Sequence, residues 1–192
     1  MKLYGTTTSP FVRRVRVVAQ EVGVPIETID TATEAGMAEL RGLSPIRKVP
    51  VAIIDGATLF DSRAIIERLT ATHGSGELAQ PADRWRDGNL INAIDAALDS
   101  VIQLFYLRRD GVAIDGTPYA ARQLERTDAI FTWLGAQPEL GTRFGLPELS
   151  LICALDWMDF RQTYPTERAQ GVARVRTAWA DRASLVATKP HA

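Results

Sequence analysis

The feature that most constrains this chain is a change of grammar near residue 75. Upstream, short strand-like and helix-like segments alternate. Downstream, from Asp83 onward, nothing reads as a strand. The start (Lys-Leu-Tyr-Gly, 2–5) is a brief apolar stretch. Ser9-Pro10 then opens a helix, with serine as cap and proline at the first helical position. Val12, Val15, Val18, Ala19 and Val22 recur at helical spacing and predict its inner face, and Gly23 and Pro25 end it. Residues 26–30 (Ile-Glu-Thr-Ile-Asp) alternate as a second strand, and a weaker helix is predicted over 33–40, closing at Gly42. Residues 51–54 (Val-Ala-Ile-Ile) are a branched run typical of a buried strand. Asp55-Gly56 is a hairpin turn, and 58–60 is the returning strand. Asp61 or Ser62 caps a third helix carrying Ile65, Ile66 and Leu69. This order predicts a small mixed sheet with helices on its faces.

Gly74, Gly76 and Pro81 mark a small, polar passage. The organisation expected is an α/β domain over 1–75, a linker over 76–82 and an all-helical domain over 83–192. Helices are predicted over 85–107, 119–134, 147–163 and 167–183, with Leu90, Ile94, Leu98, Val101 and Phe105 spaced along one face of the first.

Composition removes several functions. Lys and Arg number 22 against 23 Asp and Glu, a net charge of −1, so no bulk basic field for nucleic acid or anionic lipid is expected. The longest apolar runs, 50–54 and 149–155, fall short of the roughly 18 residues of a membrane span. The opening residues contain no apolar core of a secretory leader. The single cysteine, Cys153, excludes an internal disulfide, CxxC redox chemistry and a cysteine-rich zinc site, and no metal is expected. A soluble, cytoplasmic protein is the expectation.

Three segments of the first half carry candidate chemistry: Thr6-Thr7-Thr8-Ser9-Pro10-Phe11, Ser44-Pro45-Ile46-Arg47-Lys48-Val49-Pro50 and Asp61-Ser62-Arg63. Here the chain resembles the cytosolic glutathione S-transferases, above all short bacterial members whose first helix begins Ser-Pro-Phe. The likeness rests on Ser-Pro-Phe-Val-Arg-Arg-Val, Ser-Pro-Ile-Arg-Lys-Val-Pro-Val, Phe-Asp-Ser-Arg-Ala-Ile-Ile-Glu-Arg-Leu and, in the second half, Cys-Ala-Leu-Asp-Trp-Met-Asp-Phe-Arg, in that order.

The resemblance implies a thioredoxin-like α/β domain followed by an all-α domain, and glutathione as cosubstrate. It implies that Val49, before a cis Pro50, pairs with the cysteinyl backbone, a form of strand addition. It implies that Ser62 and the start of its helix hold the γ-glutamyl carboxylate, that Asp61 accepts the ammonium, and that Lys48 reaches the glycyl carboxylate. Ser9 would stabilise the thiolate rather than act as a nucleophile itself, with Thr7 or Thr8 as alternatives. Phe11, Phe105 and Tyr106 are candidates for the electrophile's contacts. A homodimer is implied by the family. Each residue also has a plainer reading: Ser9 and Asp61 as helix caps, Lys48 as a solvated charge, and Val49-Pro50 as an ordinary junction. Arg13, Arg14 and Arg16 are read as a solvated or subunit-facing stripe, and Trp133 as core. The activities left open are conjugation, glutathione-dependent isomerase, lyase or peroxidase chemistry, and glutathione binding with little transferase activity. The long buried helix of the second half departs from the family pattern: Gly145 stands at its cap, and Glu148 alone keeps half of a capping box.

Overall fold

The computed structural model of the chain describes residues 1–191. They form two compact units: residues 1–78 together with 181–191, and residues 79–180.

The first unit runs β1 (Lys2–Gly5), α1 (Pro10–Glu21), β2 (Glu27–Asp30), α2 (Glu34–Leu43), β3 (Val51–Ile54), β4 (Ala57–Phe60) and α3 (Ser62–His73). The sheet order is β2-β1-β3-β4. β1 and β2 are parallel, joined through α1, and the β1–β3 and β3–β4 pairs are antiparallel. The side-chain period of two divides the strands between faces. Tyr4 and Val51, opposite one another, cluster with Leu40, Met37 and Leu43 of α2. Leu3 and Ala52, the adjacent pair, are fully buried on the other face. α1 packs against α3, its Val12, Val15, Val18 and Ala19 fully buried as the spacing predicts. The β-α-β-α-β-β-α order is the one expected, and the unit is a thioredoxin-like α/β domain.

The second unit contains α4 (Arg84–Arg109), α5 (Pro118–Gly135), α6 (Leu146–Arg161), a 3₁₀ turn (Thr166–Ala169) and α7 (Gln170–Ala178). Among the described residues α4 alone has the length and composition of a membrane span. Its Ile94, Ala97, Leu98, Val101 and Leu104 are fully buried, and it packs against α5 and α6. α6 is apolar all round and correspondingly buried, with Leu149, Leu151, Cys153, Ala154 and Met158 inaccessible to solvent.

The structure differs from the sequence reading in four places. The helix predicted over 167–183 breaks into the 3₁₀ turn, α7 and a five-residue α8 (Ala183–Ala187). Residues 181–191 group with the α/β unit, not with a helical domain running to 192. Their buried anchors, Leu185 and Thr188, lie at α1. Arg13 donates through a guanidinium N–H to the Leu185 carbonyl (3.1 Å) and through Nε–H to Thr188 Oγ1 (3.3 Å). Arg13 is therefore not solvated but 2 % exposed, and Arg14, beside the Phe11 ring, is 1 % exposed. Trp133 is 45 % exposed, because α5 turns Phe131 and Leu134 inward instead.

The half-kept cap of α6 is made by a buried carboxylate. Glu148 accepts from the N–H of Gly145 and the N–H of Gly141, each at 3.0 Å. Glu148→Ala strips the acceptor from both donors, and each buried unpaired donor costs about 1–3 kcal/mol. Thermal and denaturant unfolding of this variant should show a loss of about 2–4 kcal/mol. A loss below 1 kcal/mol would mean that water replaces the carboxylate without penalty.

Candidate functional site

The register of the sheet decides where the candidate residues meet. Val51 is the partner of both Tyr4 on β1 and Phe60 on β4. The end of β1, the beginning of β3 and the end of β4 therefore share one end of the sheet. From that end leave the 6–9 loop and α1, and also Asp61 and α3; into it runs Lys48-Val49-Pro50. Ser9, Lys48, Val49, Pro50, Asp61 and Ser62 are thus gathered by three loops at one end of the first unit. Two 12-residue helices start there. Each presents unpaired N–H groups and a partial positive charge of about half a unit.

Ser9 is the cap of α1. Its backbone is extended (φ −70°, ψ 128°), and its Oγ accepts from the Val12 N–H at 3.3 Å. A hydroxyl has one hydrogen to give and two lone pairs to receive with. Capping uses a lone pair, so cap and proton donor are compatible roles for the same oxygen. In the preceding loop Thr6 and Thr8 hydroxyls lie 3.4 Å apart, and Thr7 is exposed.

Asp61 caps α3, accepting from the Arg63 N–H at 2.8 Å and from the Ser62 hydroxyl at 3.3 Å, both on Oδ1. Ser62 is 2 % exposed. The Val49–Pro50 peptide bond is cis. Val49 is half-buried and lies beyond Val51, the first paired residue of β3. Lys48 is exposed beside it. The loop before it is held by Ser44, which is buried, accepting on Oγ from Ile46 N–H and on its carbonyl from Arg47 N–H, 3.3 Å each. Arg47 takes a positive φ of 55° there.

The electrophile candidates fall in both units. Phe11, half-buried in α1, has the Arg14 guanidinium 4.9 Å over its ring. Phe105 and Tyr106 belong to α4, their rings 5.5 Å apart. Phe105 also meets Trp157 edge-on at 5.6 Å and has Arg161 over its face. The reading from sequence did not single out Trp157 or Arg161 as neighbours of Phe105. They sit on α6, more than fifty residues away, and no local pattern joins them. Among the described residues no group of three or more His, Cys, Asp or Glu is arranged to hold a metal.

A thioredoxin-like domain with two helix starts converging on one sheet end, followed by an all-helical unit, defines the class of this protein. Comparison with known proteins points the same way for the first unit. Residues 3–78 match the model of the glutathione S-transferase N-terminal domain. It is 37 % identical over 73 residues to glutathione S-transferase U6 of Arabidopsis thaliana, covering 38 % of this chain and 33 % of that protein. It is 36 % identical over 95 residues to glutathione S-transferase 4 of Zea mays, covering 44 % and 43 %. The matches thus span less than half the length of these two relatives. Over its whole length the fold is similar to a solved glutathione transferase family member from Pseudomonas fluorescens Pf-5 with bound glutathione (TM-score 0.84, 25 % identity, 100 % and 99 % of the two chains).

Because Asp61 caps α3 with its side chain, Asp61→Ala should lower stability by about 1 kcal/mol, and Asp61→Asn should retain most of it. Thermal denaturation of the two variants checks this. Equal losses would mean that the charge, not the cap, stabilises the helix start.

Proposed function

We propose that the chain is a glutathione transferase that binds the tripeptide at this end of the sheet and delivers its thiolate to a small electrophile. The observation that carries the reading is the convergence of two helix N-termini and three loops on the Tyr4–Val51–Phe60 row. Glutathione has two carboxylates, one ammonium and one thiol, and each finds a complement among the gathered groups. The start of α3 with Ser62 suits the γ-glutamyl carboxylate, and Asp61 the ammonium. Val49 suits main-chain pairing with the cysteinyl unit. Lys48 suits the glycyl carboxylate as a point charge. The match of residues 3–78 to the glutathione S-transferase N-terminal domain, and the fold shared with a glutathione-bound structure, support glutathione as the ligand.

The thiol then lies toward the start of α1. A free thiol has a pKa of about 8.5, so only a few per cent is thiolate at neutral pH. The partial charge of α1 and the Ser9 O–H both favour the anion. Each unit by which they lower the pKa represents about 1.4 kcal/mol of preferential stabilisation. The sulfur lone pair attacks the electrophilic carbon, the C–S bond forms, and the leaving group departs with its electron pair (or, in an addition, the π electrons move to the acceptor). Phe11, Phe105 and Tyr106 contact the electrophile in this reading, which also takes the chain as a cytoplasmic homodimer.

The test is an ultraviolet titration of the thiolate with glutathione across pH, on the wild type and Ser9→Ala. Saturable thiolate absorbance below pH 7 in the wild type is expected, with the midpoint raised by about one pH unit in the variant. A midpoint unchanged by the substitution moves the role to Thr7, Thr8 or backbone donors. Heat of binding without thiolate means a glutathione-binding protein with little transferase activity. Where thiolate forms, a panel of electrophiles, peroxides and isomerisable substrates separates conjugation from the other glutathione chemistries.

A further inference from the structure

The segment 181–191 has no part in the reading above, yet it is bonded to both ends of α1. At the far end, Arg182 forks onto Glu21, Nε to Oε1 at 2.7 Å and a second N–H to Oε2 at 2.6 Å. The Ser184 hydroxyl donates to the same Oε1, and Glu77 adds a second carboxylate 3.4 Å from Arg182. At the near end, Arg13 donates to the Leu185 carbonyl and Thr188 Oγ1, and Thr188 in turn donates to the Ser184 carbonyl at 2.8 Å. Arg13 is one helical turn from Ser9: its N–H donates to the Ser9 carbonyl at 2.9 Å.

We propose that this C-terminal strap sets the axial position of α1, and that Arg13 and the Glu21–Arg182 pair are positioning residues for Ser9 in thiolate stabilisation. The inference rests on the functional reading above.

The apolar residues that α1 buries are Pro10, Val12, Val15, Val17, Val18 and Ala19. Apolar burial is non-directional, so packing alone orients the helix less sharply than hydrogen bonds do. Hydrogen bonds are directional, and bidentate Arg–carboxylate pairs most of all. The bonds at Arg13 and Glu21 are spaced along almost the whole helix, so together they fix its shift and its rotation. Arg13 strengthens the coupling. Its guanidinium is 2 % exposed and donates twice to the strap, so loss of the strap removes two acceptors from a buried cation at the turn next to Ser9. At Glu21 burial pushes the carboxyl up, but the hydrogen bonds from Arg182 and Ser184 and the Arg182 charge outweigh it. The carboxyl is held below the usual carboxylate range, and the fork is ionised at neutral pH.

The experiment uses the full chain with Arg13→Met, Arg182→Met, Arg182→Lys and the charge exchange Glu21→Arg with Arg182→Glu. For each, calorimetry gives the Kd of glutathione, ultraviolet titration the pKa of the bound thiol, and thermal unfolding the Tm. The two methionine variants should raise the bound-thiol pKa by about one pH unit, a tenfold loss of thiolate at low pH, with Kd little changed. The charge exchange should recover part of that loss, and Arg182→Lys less, because an ammonium cannot fork. A lowered Tm with an unmoved thiol pKa would overturn the inference and leave the strap a purely structural brace. If Arg13→Met does not fold, Arg182→Met decides. No thiolate in the wild type would overturn the functional reading and this inference together; thiolate that is normal in every variant overturns the inference alone.

Discussion

The row Tyr4–Val51–Phe60 is the constraint on which the rest depends. Antiparallel pairing on both sides of β3 forces one strand end, one strand start and a second strand end to the same edge. Because each of the two strand ends leads directly into a helix, α1 and α3 both begin there. The electrostatics follow from connectivity alone. Two helix starts placed together attract negative charge before any side chain is considered. Serine and aspartate caps then add side-chain oxygens at the same two places. A one-residue slip of β3 would reverse its faces, removing Val51 from the cluster with Tyr4 and Leu40 and misplacing the Val49–Pro50 junction. Core and site are therefore held by the same register.

Most of that arrangement was legible in the sequence, for identifiable reasons. Val12, Val15, Val18 and Ala19 carry helical periodicity on a short helix with a serine cap and proline start. Asp55-Gly56 between two apolar runs defines a hairpin. These are local signals, and the elements they mark are present with ends moved by a few residues, as fraying ends ordinarily are. The Ser9, Val49-Pro50 and Asp61-Ser62 positions became readable as one site only through likeness to a family, because their meeting depends on strand pairings between residues some fifty apart.

What was not legible lies in contacts without a local pattern. Arg13, Arg14 and Arg16 look like any exposed basic stripe on a helix; Arg13 is buried against a segment about 170 residues later. The final helix also looked continuous, since Val172, Val175 and Trp179 keep their spacing. Its break before α8 frees the chain to cross onto α1, and there Leu185 and Thr188 are buried. Trp133 misled in the opposite direction. A large aromatic on an amphipathic helix is ordinarily inward, but Phe131 and Leu134 fill that role on α5 and leave it 45 % exposed.

The two kinds of contact divide the work on α1. Valine and alanine packing stabilises the helix against the sheet by roughly 1.5–3 kcal/mol for each fully buried larger side chain, and does so almost regardless of fine position. Stabilising a thiolate is less forgiving, since a hydroxyl placed an ångström too far no longer donates a useful hydrogen bond. Directional bonds help convert a well-packed helix into a positioned one, and on α1 Arg13 and Glu21 direct such bonds to the strap. The same logic holds at α3, where Asp61 supplies the directional element as a cap. It holds again at α6, where the two backbone bonds of Glu148 fix the start of an otherwise smooth apolar rod. In each case polar side chains add directional bonds to the packing of the helix's apolar face.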